Sequence, residues 1–236
     1  MKVEMWHSTL VDFFISIMHY IYHIMETKRN ISYLEFRDFF ISLGCFSIHQ
    51  VKIWNADFNR NNLGRWEKQG KIIRLRQGYY AFPSLLKQGD APFYLANKMY
   101  APSYISLESA LSFHGMIPEG VIPMTSITTR KTKKFHNAFG DFTYQTEKPE
   151  LLFGYTIEQS TRSNGWSILL ATPEKALLDL LYLRPHYNSL GDMQQLRLDV
   201  DFMNQELNTD RLDEYVTRFG SKILEQRVSC LKGAYL

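Results

Sequence analysis

Between residues 30 and 90 the apolar positions run at helical spacing three times and then switch to alternation. Leu34, Phe36, Phe39, Phe40 and Leu43 mark one side of a helix predicted from Tyr33 to about Leu43, with Ser32 as its cap and Gly44 as its stop. A second short helix is predicted from Ile48 to Trp54. Asn55-Ala56-Asp57 leads into a third, Arg60 to Gln69, where Asn59 is the N-cap, Gly70 the left-handed C-terminal residue, and Leu63 and Trp66 the buried side. If Gln77-Gly78 is a two-residue loop, Arg76 pairs with Tyr79, Leu75 with Tyr80, Arg74 with Ala81 and Ile73 with Phe82. That register turns Ile73, Leu75, Tyr80 and Phe82 to one face, and Arg74, Arg76 and Tyr79 to the other. Helix, helix, helix, hairpin is the order of a winged helix-turn-helix.

Downstream the pattern is mixed. Pro83 closes the hairpin and Ser84 to Asp90 reads as a linker. A helix from about Pro92 to Met99 is followed by a second that Ser106 caps and Gly115 stops. Strands are predicted over Met124 to Thr129, Phe142 to Gln145, Leu151 to Glu158 and Trp166 to Leu170. Thr172-Pro173-Glu174 opens a helix with a cap, a first-turn proline and an acid at the positive end of the dipole, and its body KALLDLLYL is apolar nearly all round, hence buried. The tail from Asp199 to Leu236 is helical, amphipathic and charged. The expected fold class is therefore α+β, an N-terminal winged helix-turn-helix domain followed by a larger mixed α+β domain. Its parts are an apolar helical extension over residues 1–29, the winged domain over 30–89 and the α+β domain over 90–236.

The extension is unusual. Leu10 to Met25 is almost wholly apolar or aromatic, yet it contains Asp12, His19 and His23 and is shorter than the roughly 18 to 20 residues of a spanning helix. Glu4 and the lack of a small-residue cleavage site argue against a signal peptide. The expectation is a helix that packs on the body or on a second copy; a natural start at Met25 is the other reading.

Candidate chemistry gathers on the third helix and the hairpin. Asn61, Gly64, Arg65 and Lys68 fall opposite Leu63 and Trp66, with Arg60 and Gln69 flanking. A glycine inside a helix costs about 1 kcal/mol relative to alanine, and close approach of the backbone to a partner is one reason to keep it. Arginine and asparagine are the types that make bidentate contacts to guanine and adenine edges in a major groove. Net charge is only +3, but from Asp57 to Arg76 Arg60, Arg65, Lys68, Lys71, Arg74 and Arg76 outnumber Asp57 and Glu67. That concentration is the footprint of a duplex binder. Winged domains that bind protein share the pattern, so the alternative stays open. The candidate DNA contacts are Arg60, Asn61, Asn62, Arg65, Lys68, Lys71, Arg74, Arg76 and Tyr79, with Asn61 and Arg65 for base edges and the rest for phosphate. Arg130, Lys131, Lys133 and Lys134 form a second basic surface, either a contact face or a solvated turn.

Other chemistry has less to stand on. Cys45 and Cys230 are far apart and in no ligand cluster, which points to a reducing, cytoplasmic setting, no structural metal and no cofactor. His19 and His23 have metal-compatible spacing but no third ligand nearby. Beyond residue 90 there is no acid-x-lysine triplet; Glu147-Lys148 and Glu174-Lys175 are adjacent pairs, and no GxSxG, HExxH or phosphate-binding glycine loop occurs. A metal-dependent nuclease with a winged targeting domain therefore needs acids that converge from distant positions. A ligand-sensing repressor is the third class.

The strings FNRNNLGRWEKQGKIIRLRQGYYAF, YISLESALSFHG, SITTRKTKKF, KPELLFGY and ATPEKALLDLLYL, in this order over about residues 30 to 185, resemble the AbiEi family of antitoxins and transcriptional regulators. The resemblance implies a winged helix that represses its own operon by binding double-stranded operator DNA with repeated half-sites. It also implies a C-terminal domain that counteracts an AbiEii toxin, similar to nucleotidyltransferases, in a type IV toxin–antitoxin system of phage defence by abortive infection. No catalysis, cofactor or membrane partner is implied. The apolar extension and the C-terminal tail depart from the pattern.

Overall fold

The computed structural model describes residues 31–118, 120, 123–159 and 166–236; the expected helix before residue 30 and the His19/His23 pair lie outside them. The described chain is mixed α+β. It divides into two compact units, one of Met1–Ile73 with Gly78–Phe82, the other of Arg74–Gln77 with Pro83–Leu236.

In the first unit α1 spans Tyr33–Phe40, capped where Glu35 N–H donates to Ser32 Oγ at 3.2 Å. A 3-10 turn, Ile41–Leu43, carries it to Gly44, whose φ of +68° excludes most other residues. Strand β1, Cys45–Ser47, follows where no strand was expected, and Ser47 then caps α2, Ile48–Trp54, in a reciprocal box with Gln50. Helix α3 covers Asn61–Lys68, and β2 (Ile73–Arg76) and β3 (Tyr79–Ala81) form a hairpin across Gln77-Gly78. The sheet order is β1-β3-β2, with β1 and β3 antiparallel and Phe46 opposite Tyr80.

One ring holds this unit together. Phe36 is fully buried, with its ring centroid 4.8 Å from that of Phe40, 5.0 Å from Phe46, 5.9 Å from Trp54, 5.6 Å from Phe58 and 4.8 Å from Trp66. Those partners come from α1, β1, α2, the segment before α3 and α3 itself.

The second unit is built on a six-stranded sheet of order β6-β7-β5-β4-β9-β8. Its strands are β4 (Ser103–Ile105), β5 (Met124–Thr128), β6 (Lys133–Asn137), β7 (Gly140–Thr146), β8 (Tyr155–Gln159) and β9 (Ser167–Ala171). The pairs β4–β5, β6–β7 and β8–β9 are antiparallel, while β4–β9 and β5–β7 are parallel. Helix α4 (Ala91–Met99) precedes the sheet and α5 (Leu107–Phe113) follows β4. Helix α6, Pro173–Leu183, is the core helix expected from its sequence, and α5 packs on it. The tail adds α7 (Leu190–Gln194), α8 (Val200–Gln205), α9 (Thr209–Phe219) and α10 (Lys222–Tyr235). Of these α9 also packs on α6, where buried Glu174 accepts from the Asn208 N–H at 3.0 Å and lies 3.5 Å from the Arg211 guanidinium.

Two expectations are corrected here. The strand predicted from Leu151 begins only at Tyr155, because Pro149–Leu151 forms a 3-10 turn and Gly154 adopts φ +67°. A Cβ on Gly154 would stand 2.8 Å from the Tyr215 ring and 3.1 Å from Lys175, so glycine is required twice over. Ser106 stands at the N-cap position of α5 as expected, but its side chain makes no capping hydrogen bond. Its hydroxyl donates to Asp179 Oδ2 at 2.6 Å, and Thr125 Oγ1 takes the capping role by accepting the Ser109 N–H at 3.1 Å.

Asp179 belongs to a buried polar cluster. It pairs with Lys175 one helical turn away and accepts from Tyr104 OH at 2.9 Å. The Lys175 ammonium lies 3.8 Å from Glu147 and over the rings of Phe219 and Phe153, at 4.6 and 5.0 Å. Neither oxygen of Glu147 has a hydrogen-bond partner among the described residues. Burial, reinforced by the Asp179 carboxylate and opposed by Lys175, pushes the Glu147 carboxyl up to about 8. Burial likewise raises Asp179, against the pull of Lys175 and its hydrogen bonds.

Truncation of Phe36 to alanine is expected to destabilise the first unit by about 3–5 kcal/mol, whereas Ile53→Ala, at a side chain 73% exposed, stays within about 0.5 kcal/mol. Comparable denaturant midpoints for the two variants would contradict the role given to Phe36. For the second unit the sign follows from Glu147. The folded state holds a proton that the unfolded chain releases near pH 4.5, so the stabilisation is complete below that pH and is lost as pH rises through about 8. Denaturant unfolding should therefore lose about 1 kcal/mol per pH unit across this window, and Glu147→Gln should flatten the slope.

Candidate nucleic-acid interface

The approach to α3 is fixed by local hydrogen bonds. Asn55 Oδ1 accepts from the Asp57 N–H at 2.9 Å, and Lys52 Nζ donates to the carbonyls of Ala56 and Phe58 at 2.6 and 3.1 Å. Phe58 then drops into the core. Asn59 Oδ1 accepts the Asn61 N–H at 3.0 Å, so it caps the helix from one position earlier than the N-cap residue Arg60. At the other end Gly70 (φ +67°) lets its own N–H reach Glu67 O and the Lys71 N–H reach Trp66 O, both at 2.9 Å. Lys71 is also tied to α1: its carbonyl accepts from Tyr33 OH at 3.1 Å and its ammonium sits 4.9 Å over the Tyr33 ring.

Leu63 and Trp66 are buried, which turns Arg60, Asn61, Arg65 and Lys68 to solvent. Gly64 lies in the middle of that face, and a Cβ built there meets nothing within 4 Å. Internal packing therefore gives no reason for the glycine.

Asn62 is a correction. Its sequence position set it among the phosphate contacts, but it is only 6% exposed, and its Oδ1 accepts from Arg65 Nη2 at 3.1 Å. It positions Arg65 instead of reaching outward. The helical wheel holds the signal, since Asn62 adjoins Leu63 and lies one turn from Trp66.

On the hairpin, Lys71 and Arg74 are exposed and Tyr79 is half-buried. Arg76 is the second correction: Nε donates to the Met99 carbonyl at 2.5 Å, Nη1 to Gln77 O at 3.2 Å, and the guanidinium lies 5.8 Å from the Phe135 ring centroid. Residues Arg74–Gln77 group with the second unit, where these contacts lie. The cluster read as a possible turn is partly strand: Lys133 and Lys134 open the edge strand β6, and only Arg130–Thr132 forms the turn. All four of its cations, Arg130, Lys131, Lys133 and Lys134, are exposed.

The buried cluster also bears on the rival chemistry. Glu147 meets Lys175 and Asp179, one turn apart on α6, from a distant point in the chain, an arrangement invisible to a search for short spacings. Their side chains are closed to solvent, which leaves a phosphodiester no access. Among the described residues no group of three or more His, Cys, Asp or Glu could hold a metal ion, and no helix is long and apolar enough to cross a membrane.

Gly64→Ala separates folding from contact. Helix propensity predicts a stability gain of about 0.5–1 kcal/mol, because the added methyl meets nothing inside the protein. A partner surface in contact with this face would lose affinity by the same change; a gain in stability with unchanged duplex binding would remove Gly64 from the interface. No family model matches the chain and no curated protein matches it significantly, so geometry and motif resemblance carry the functional reading.

Proposed function

We propose that the chain is a duplex-DNA-binding autorepressor in which α3 is the recognition helix of a winged helix-turn-helix and β2–β3 its wing. The observation that carries this reading is the outer face of α3, where Asn61 and Arg65 flank a glycine whose methyl position is open. Asn61 and Arg65 take base edges in the major groove, with Asn62 holding the Arg65 fork from behind. Arg60, Lys68, Lys71 and Arg74 take backbone phosphates, and Tyr79 lines the wing. The residues from 90 onward act as the antitoxin domain against a nucleotidyltransferase-like toxin, without catalysis of their own. Support for this half is the ordered motif resemblance alone.

The test compares binding to the duplex upstream of the gene with binding to a scrambled duplex at about 0.15 M salt, where non-specific dissociation constants are typically 10⁻⁴ to 10⁻⁶ M. The expected preference is about 10³-fold or more. Arg65→Ala should cost about 1–3 kcal/mol on the upstream duplex and narrow the preference, while Arg74→Ala weakens both duplexes alike and lowers the salt slope by about 1. Equal weak binding by the wild type would overturn the repressor reading, and an equal loss on both duplexes for Arg65→Ala would remove its base-reading role. Toxin rescue in cells that co-express the neighbouring toxin gene tests the antitoxin half separately.

A further inference from the structure

The six-stranded sheet of the second unit ends in two different edges. At one, β6 presents Lys133 and Lys134, both exposed, and lysines on an edge block pairing with a further strand. The other edge is β8, Tyr155-Thr156-Ile157-Glu158-Gln159, which contains no lysine, arginine or proline. It keeps unbroken register with β9 from Tyr155 opposite Ala171 to Gln159 opposite Ser167, and among the described residues no strand pairs with its other side. Tyr155 is 37% exposed and Ile157 67%. An open edge of aromatic and β-branched residues without such a block is a template for another strand.

Asn97 fixes which backbone groups of β8 point outward. Leu169, opposite Ile157, donates its N–H to Asn97 Oδ1 at 2.8 Å, and its carbonyl accepts from Asn97 Nδ2 at 3.3 Å. Both groups are thus turned away from β8, so Ile157 and Leu169 are an antiparallel pair of the kind that exchanges no hydrogen bond. The alternate positions carry the ladder: the Thr172 N–H donates to Gly154 O at 2.9 Å, and Thr156 and Glu158 share the parity of Gly154. Tyr155, Ile157 and Gln159 therefore direct their N–H and C=O groups to the open edge.

That parity makes the edge complementary to itself. Two copies that run antiparallel about a two-fold axis at Ile157 set Ile157 opposite Ile157, Tyr155 opposite Gln159 and Thr156 opposite Glu158. The outward-directed residues then pair only with one another, each pair exchanging both N–H···O bonds. No like charges meet, because Glu158 is the only charged residue of the strand and faces a threonine, the type whose hydroxyl it already accepts at 2.8 Å within its own strand. The exposed Ile157 side chains of the two copies cover each other.

We infer that β8 joins a second copy of this chain edge to edge and extends the two sheets into one. The inference goes beyond the DNA-binding reading and does not depend on it. A strand pair is smaller than a permanent interface, so the association varies with concentration.

Sedimentation velocity of the full chain without DNA, beside its I157K and I157P variants, tests the pairing. The wild type should pass from monomer to dimer as concentration rises. I157K sets like charges opposite each other at the axis, and I157P removes an N–H that β9 does not use; each should raise the dissociation constant about tenfold or more, with I157K melting at the wild-type temperature. Oxidation of I157C and T156C in a C230S background, chosen because Cys230 is half-buried, reads the register. I157C should form a cross-linked dimer, since opposed Cα atoms about 5.5 Å apart lie within the span of a disulfide, and T156C, displaced along the strand from its counterpart, should not. A wild type that stays monomeric up to about 1 mM would overturn the inference and leave the edge to an extended segment of another protein. A dimer that I157K leaves intact and I157C does not link would overturn it in favour of another face. Because no DNA is present, either failure leaves the repressor reading standing.

Discussion

Phe36 touches five aromatic side chains, and each comes from a part of the first unit that bears on the pose of α3. Trp66 anchors the helix itself, Phe58 anchors the segment that leads into it, and Phe46 anchors the strand against which the hairpin closes. A rigid, close-packed interior transmits shape because it has little room to yield. Tyr33 adds a link from the same helix, with its ring edge against Trp66 and its hydroxyl on the carbonyl of Lys71. The exposed residues of α3 thus keep their spacing through the buried residues one position away. Asn62 is the shortest instance of the coupling, for it lies inside and holds Arg65 outside.

The second unit is centred on charge in place of rings. Lys175, Asp179 and Glu147 have no solvent access, and two carboxylates with one ammonium leave an excess negative charge that a proton on Glu147 relieves. Such clusters are weak contributors to stability, because desolvation offsets the attraction. They do constrain what can surround them: Tyr104 and Ser106 are committed to Asp179, and Gly154 must stay small beside Lys175. These residues come from YISLESALSFHG, KPELLFGY and ATPEKALLDLLYL, three of the strings that carry the resemblance. In this chain those strings are the requirements of a core.

This convergence explains what the sequence made legible and what it hid. Helices with their own caps could be read closely, as at Ser32, Ser47 and Thr172, because the signal and the structure it serves are local. The Gln77-Gly78 turn is local too. Strands β1 and β4 were missed because three buried residues carry no period, and their partners lie far along the chain. Strand β6 was hidden by its lysines, which on an edge strand block further pairing and in sequence mimic a loop. Ser106 has the right type and place for a cap, yet a carboxylate more than seventy residues away takes its hydroxyl. The same rule covers the candidate site: the outer face of α3 follows from a helical wheel, whereas the fate of Arg76 depends on Met99 and Phe135, which no local pattern contains.

A small net charge and a strong duplex interaction are compatible when cations are concentrated and acids are spent elsewhere. With a net charge of only +3 the far field is weak. Several acids are engaged by partners of their own: Asp38 with Arg37, Glu108 with Arg184, Asp213 with Lys232, Glu174 with Arg211, Asp192 with Ser189. At a Debye length of about 8 Å in physiological salt a phosphate feels only the charges beside it, so local arrangement outweighs the total. The division of labour follows from the same range. Base edges are discriminated by a few donors and acceptors held in register, the part proposed for α3. Phosphates need only positive charge within a few ångströms.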